Sequence, residues 1–296
     1  MRFGIHALQM EALIPQNLPP EQALAQIAGF DHANHVRFLW EQGFNPIELG
    51  GDLALFLPHT FQPPAIERLA ALKAECDITF TVHLPLWSVE TSTPLKPVRE
   101  GSAQAMIDCI LATQPLDPEV YVLHATGALS AEFYRMRLPE IAKSFLLRQF
   151  QSGANDSIQR ILGETGIHSR KLAIETIEFP LDLTFELAEE LNLSICFDTG
   201  HVLVGFSGPV DIFDALEQSL PRLAEVHLHD GPWQGPEARI GYGKDHQAIG
   251  KGDLNIGRFL DRLSETQFDG PIILELSTID AIDSLAVIRK LRPEVI

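Results

Sequence analysis

The amino-acid sequence predicts an α/β chain folded as one (β/α)₈ barrel over residues 1–296. Short β-like apolar runs alternate with longer helical patterns, the signature of successive βαβ units on a parallel sheet. No break in composition divides the chain, and 296 residues is an ordinary length for a single barrel of this kind. The competing architecture, an open doubly wound sheet, usually carries a glycine-rich phosphate loop after its first strand. Here the first strand runs instead into His-Ala-Leu-Gln-Met.

The expected strands, in order, are Phe3–His6, Pro46–Leu49, Ile78–His83, Val120–His124, Lys171–Glu175, Ser194–Asp198, Ala224–His227 and Ile272–Glu275. Helical periodicity fills the stretches between them. One helix begins at Glu21, after a proline pair that suits a helix start. A second covers His35 to Gln42 and closes at Gly43. Ala65–Cys76 follows Pro-Pro and repeats apolar residues at Ile66, Leu69 and Leu72. Val98–Thr113 continues the pattern, and Glu132–Thr165 is long enough for two helices. Leu183–Leu191, Ile212–Ser219, Ile256–Thr266 and Ala281–Leu291 complete the set.

Composition narrows the function classes. Acidic residues outnumber basic ones 40 to 22, for a net charge of −18, and no basic run occurs. A protein that neutralises many phosphates needs the opposite balance, so long DNA or RNA is not an expected partner. No uninterrupted apolar segment has the length of a membrane span, and the N-terminus lacks the apolar stretch of a signal peptide. Cys76, Cys109 and Cys196 are odd in number and form no CxxC pair. A reducing cytoplasmic setting is therefore expected, with Cys196 buried in the core.

Of eleven histidines, His6, His83, His124, His201, His227, His229 and His246 fall at or just beyond expected strand ends. Barrel active sites are built on that face. A lone histidine there is commonly a hydrogen-bonded loop residue, but so many on one rim are hard to explain as packing. His32, His35, His59 and His168 lie away from the rim and read as solvated. Glu175, Asp198 and Glu275 each end an apolar run, where an unpaired carboxylate is costly. A salt bridge would explain one of them; several imidazoles around three of them point to a divalent cation, with Zn²⁺ or Mn²⁺ suited to mixed nitrogen and oxygen ligands. In Asp-Thr-Gly-His (198–201), Gly200 permits the turn that lets Asp198 and His201 reach one cavity. In Val-His-Leu-His-Asp (226–230), His227 and His229 share a strand face. His227 is the expected ligand, and His229 is either a partner that holds a ligand in place or a substrate contact.

The ordered set Thr-Val-His-Leu-Pro (81–85), Val-Leu-His-Ala-Thr-Gly (122–127), Ala-Ile-Glu-Thr (173–176), Phe-Asp-Thr-Gly-His (197–201), Glu-Val-His-Leu-His-Asp (225–230), Asp-His-Gln-Ala-Ile-Gly-Lys-Gly (245–252) and Ile-Leu-Glu-Leu (273–276) resembles the endonuclease IV/xylose-isomerase-like TIM-barrel superfamily. The resemblance spans nearly the whole chain and implies one to three divalent ions. It implies that His83, His124 and Glu175 hold one ion, and that Glu175, Asp198, His227 and Glu275 hold a second, with Glu175 shared. His201 and His246 would serve a third. At that point the sequence departs from the Asp-x-His pattern of the DNA-repair members: Lys244 stands where their aspartate would, and Asp245 adjoins His246 directly. Within the phosphodiesterase branch, residues 81–86 and 116–124 resemble the cobamide-remodelling enzymes, which cleave the nucleotide loop of a corrinoid.

Three readings follow. A metal-dependent hydrolase of a small phosphodiester would use His83 and His124, with Glu275 or Asp198 orienting the water. His229, Asp230 and Glu178 are available to hold ligand tautomers. A sugar or sugar-phosphate isomerase or epimerase would use Glu175 and Glu275 as its acid and base, with Arg239 a substitute substrate contact. A barrel without catalysis would be expected to lack ligands, and none of the four core ones is missing. His6, Glu48, Trp87, His229, Lys244 and Asp245 are candidate substrate contacts, and Glu48 has a helix cap as its other reading. Trp87, Trp233 and Phe206 each read as a stacking platform or an apolar lid.

Overall fold

The computed structural model describes residues 1–9, 19–234, 240–241 and 243–295. Eight parallel strands close a barrel in sequence order: β1 Arg2–His6, β2 Ile47–Gly50, β3 Phe80–His83, β4 Tyr121–Leu123, β5 Leu172–Glu175, β6 Ser194–Asp198, β7 Leu223–Leu228 and β8 Pro271–Leu274. β8 pairs back onto β1, from Arg2 opposite Pro271 to Ile5 opposite Leu274. Every expected strand is present, with ends that match or shift by at most two residues. His124 and Glu275 fall just past the last paired residue of β4 and β8.

Strand alternation sorts the side chains. Ile5, Leu49, Phe80, Tyr121, Ile174, Phe197, Leu228 and Leu274 face outward into a continuous apolar shell shared with the helices. A smaller set, Val120, Val122, Ala173 and Cys196, packs separately. It lines one side of the barrel interior, in the same parity as Glu175 and Asp198. The helix Ile256–Glu265 shows how the shell is made. It buries Ile256, Phe259, Leu260 and Leu263, one apolar stripe at helical spacing. Asp31, Asp211, Asn255 and Ser277 cap their helices by accepting from backbone N–H groups of the first turn. The long segment before β5 does form two helices, Ala128–Arg135 and Glu140–Thr165. Pro139 precedes the second, and its ring cannot continue the first. Among the described residues, no helix is long and apolar enough to cross a membrane.

Two histidines read as solvated are buried. The second helix begins earlier than expected, at His32, because Asp31 caps it. This places His32 and His35 on its inward face, where they are 3% and 9% exposed. His35 Nε2 lies 3.1 Å from the Ala7 carbonyl oxygen. Burial pushes both imidazoles down to about 4. His59 is nearer its expected surface setting, with Nε2 3.1 Å from the Phe30 carbonyl, and His168 Nδ1 accepts from the Arg170 N–H.

The β1–β2 seam has no room for a side chain at Gly4. A Cβ there would lie 2.2 Å from the Pro46 carbonyl oxygen and 2.7 Å from Ile273 Cδ1. Gly4→Ala is expected to destabilise the fold by at least about 1–3 kcal/mol, the usual cost of overpacking. Urea unfolding measures this, and wild-type stability in the variant would show that the seam yields.

Candidate metal centre

Glu175 ends β5 at the centre of the barrel mouth, with its carboxylate fully buried. His83 Nε2 lies 3.1 Å and His124 Nε2 3.0 Å from the same oxygen, Oε2. His201 Nδ1 lies 2.8 Å from the other. The tautomers are constrained from behind. His83 Nδ1 is 2.9 Å from the Leu84 carbonyl oxygen and must donate to it. A neutral His83 therefore turns the lone pair of Nε2 toward a carboxylate oxygen, an arrangement that needs a cation or a proton between them.

Asp198 ends β6 and serves two structures at once. Its Oδ1 accepts from the His201 N–H at 2.6 Å, capping the short helix Thr199–Leu203 that carries His201 inward. Its Oδ2 lies 2.8 Å from His229 Nε2. His229 is completely buried, and its Nδ1 accepts from the His246 N–H at 2.8 Å, so Nε2 carries the hydrogen and donates to Asp198. Of the two readings of His229, substrate contact is corrected and the partner role fits: it positions Asp198. Gly200 also has a different reason from the one expected. Its φ is not positive; a Cβ there would lie 2.1 Å from His229 Nδ1, so the bare backbone makes room for that ring.

His227 makes the clearest test of whether a cation fits. Its Nε2 faces Glu48 Oε1 at 3.3 Å and its Nδ1 is buried with no hydrogen-bond partner. Around that nitrogen stand Glu275 Oε1 at 3.4 Å, Glu175 Oε2 at 3.7 Å and Asp198 Oδ2 at 3.8 Å. Three carboxylates converging on one orphaned imidazole nitrogen, too far to bond it, fit a divalent ion. Glu48 is thus corrected from a substrate contact or helix cap to a fully buried partner of His227. Sequence reasoning missed Glu225, also fully buried, whose Oε1 accepts from Thr81 Oγ1 at 3.0 Å and lies 4.0 Å from His227 Nε2. Its position two residues before His227 on a strand was the signal.

The loop after β7 resolves the departure at residues 244–246. His246 takes a positive φ of 54°, which turns the chain so that two adjacent side chains face the cavity. Asp245 Oδ2 lies 2.8 Å from His246 Nδ1 and 3.4 Å from His201 Nε2, and His246 Nε2 is 3.4 Å from Glu275 Oε2. Lys244 is exposed and lies outside the cavity wall, so it is corrected as a substrate contact. Asp230 does not hold a histidine either; it accepts from the N–H groups of Gly250 and Leu254 and ties the loop down. Glu178 Oε2 stands 3.7 Å from His124 Nδ1, near enough for a charge interaction but longer than a hydrogen bond. Arg239 lies outside the described residues.

Glu175 with its three imidazole neighbours, and Asp245, His246 and Glu275, line a cavity of about 580 Å³. His6, Leu86, Trp87, Ile177, Phe206 and Leu276 contribute to its walls. Trp87 stands edge-on to Phe56, and its loop is held by Asp52, which accepts from the Leu86 and Trp87 N–H groups. Trp233 is exposed and lies outside the wall.

The chain matches the family model described as the xylose isomerase-like TIM barrel over residues 36–291. It is 26% identical over 235 residues to an uncharacterized protein of Methanocaldococcus jannaschii, covering 78% of this chain and 76% of that one. A D-tagatose 3-epimerase-like protein superposes with a TM-score of 0.69 at 21% identity, covering 100% of this chain and 98% of its own. Endonuclease IV from Thermus thermophilus superposes with a TM-score of 0.64 at 19% identity, covering all of both chains. At these identities the likeness establishes the fold.

The electrostatics predict how the metal-free protein behaves. Burial opposes charging His124, but Glu175 and Glu178 overcome it and hold the imidazole at about 10. Burial likewise opposes charging His246, but Asp245 and Glu275 raise it to about 9. A histidine raised on folding stabilises fully below its unfolded value near 6.5 and loses that contribution as pH passes its folded value. The Tm of chelator-treated protein is therefore expected to fall from about pH 6.5 to pH 10. Divalent-metal affinity is expected to rise across the same window, because loading displaces those protons. A Tm that rose with pH there would contradict this.

Proposed function

This chain belongs to the xylose isomerase-like TIM barrel family, and on that basis we propose that it is a divalent-metal-dependent hydrolase of a small phosphodiester. The observation that carries this reading is the aim of His83 and His124 at one oxygen of Glu175, at 3.1 and 3.0 Å. A single-ion centre of Glu175, Asp198, His227 and Glu275 has no use for them. Together with Glu175 they make a second ligand set sharing that carboxylate. Ions such as Zn²⁺ or Mn²⁺ held in the two sets would supply Lewis acidity to the phosphoryl group and to the attacking water.

The protein's own groups then divide the work. Glu175 is held ionised by the imidazoles around it despite its burial, and it spans both sets. His229 keeps Asp198 in place through Nε2. Glu275, also held well below the usual carboxylate range, opens onto the cavity, where it can orient the water and accept its hydrogen bond. Trp87 and Phe206 offer apolar surface for a flat group attached to the diester. The nucleotide loop of a corrinoid is one diester of this class. A net charge of −18 disfavours long nucleic acid, and three free cysteines fit a reducing cytoplasm.

A carbon-acid epimerase would ask Glu175 to take and return a proton. Here Oε2 faces His83 and His124 and Oε1 faces His201, contacts that suit a ligand shared between ions better than a base that must take and return a proton. The test is to load the protein with Zn²⁺ or Mn²⁺ and offer both substrate classes. Hydrolysis of bis(p-nitrophenyl) phosphate and of a corrinoid nucleotide loop is scored against deuterium exchange from solvent into ketoses. Diester cleavage that falls by roughly 10²-fold or more in His83→Ala and His124→Ala is expected. Deuterium incorporation into a ketose, indifferent to those two changes, would replace this reading with the isomerase one.

A further inference from the structure

We propose an additional divalent-cation site at the β1–β2–β8 side of the barrel mouth, held by His6, Glu48 and Glu275. It shares only Glu275 with the ligand sets above, and it does not depend on which bond the centre cleaves.

Strand register brings the first two ligands together, since His6 on β1 pairs directly with Glu48 on β2. Both point into the barrel. His6 Nε2 is buried without a hydrogen-bond partner, and so is Glu48 Oε2. Glu48 is 0% exposed, so its free oxygen has no access to bulk water. The other oxygen of Glu48 is already committed to His227. One ligand atom from each of His6, Glu48 and Glu275 lies within 4.8 Å of the others. That spacing suits atoms arranged around one ion, and for His6 Nε2 and Glu48 Oε2 no hydrogen bond forms in its place.

An orphaned imidazole nitrogen beside an orphaned buried carboxylate oxygen is unfavourable twice over, and a cation satisfies both at once. Among the described residues, neither Lys nor Arg lines the cavity to do so instead. The room for the His6 ring is built in. A Cβ on Gly50 would meet His6 Nε2 at 3.0 Å and Cε1 at 3.2 Å, and His83 stands edge-on to the ring at 5.8 Å. One imidazole and two carboxylates suit Zn²⁺ or Mn²⁺, and three protein ligands leave open positions toward the cavity. A cation there offers positive charge to whatever part of the substrate lies against β1 and β2.

The test counts ions. Protein stripped with chelator is reloaded with MnCl₂ or ZnCl₂ at fixed free metal, and bound metal per chain is measured by elemental analysis. Circular dichroism checks folding. His6→Gln is expected to bind one ion fewer than wild type, His124→Ala also one fewer, and the double variant two fewer. Gly50→Ala, whose Cβ would crowd the ring without removing a ligand, is expected to weaken metal binding at this site alone, and guards against a variant that fails to fold. An unchanged count in folded His6→Gln, or a double variant that loses no more than His124→Ala, overturns the site. A protein with the expected counts and no diesterase activity would overturn the proposed function and leave this site standing.

Discussion

The structure is arranged around one buried carboxylate. Glu175 stands at the mouth of a barrel whose shell is apolar, and a lone ion in such a place is strongly disfavoured. Imidazoles from β3, from just past β4 and from the helix after β6 surround it, so its stability depends on the barrel closing correctly. Closure in turn rests on tight backbone contact, as at Gly4 against Pro46. The centre and the fold are therefore coupled: strand register delivers the ligands, and the ligands neutralise the charge that the register buries.

The barrel interior is divided in composition. One part is small and apolar, with Val120, Val122, Ala173 and Cys196. Another is polar, with Thr81, Glu48 and Glu225 gathered around the Nε2 side of His227. Burial pushes Glu225 well above the usual carboxylate range, and the neighbouring Glu48 pushes it further. A neutral carboxyl group is the form such a place tolerates. Together the two side chains back the His227 ring, leaving Nδ1 free on the opposite edge, where three carboxylates meet it.

Loops complete the mouth by economical means. Asp198 caps a helix with one oxygen and faces the centre with the other. Gly200 is bare because the His229 ring lies against it. Asp230, which looked available as a partner for an imidazole, instead gathers the backbone of residues 250–254. Gln9 does the same across the closure, with Nε2 donating to the carbonyls of His6 and Leu276 and Oε1 accepting from Thr278.

The barrel, its strand order and the residue types at the rim are all legible in the order of amino acids. Alternating apolar runs and helical stripes are local patterns, and polar residues that end buried strands stand out against them. The His83, His124, Glu175, Asp198, His227 and Glu275 group could be picked out this way, and the structure gathers those six side chains, with Asp198 and His227 buried behind the four that line the cavity. Direction and distance needed the closed barrel. Whether Glu48 met substrate or lay beneath the floor was settled by its complete burial against His227. That Asp245 rather than Lys244 turned inward shows only in the folded loop, where Asp245 meets His201 and His246. His32 and His35 went into the core because Asp31 started their helix early. Tautomers, orphaned nitrogens and shared oxygens are properties of groups far apart in the chain, and only closure of the barrel sets them side by side.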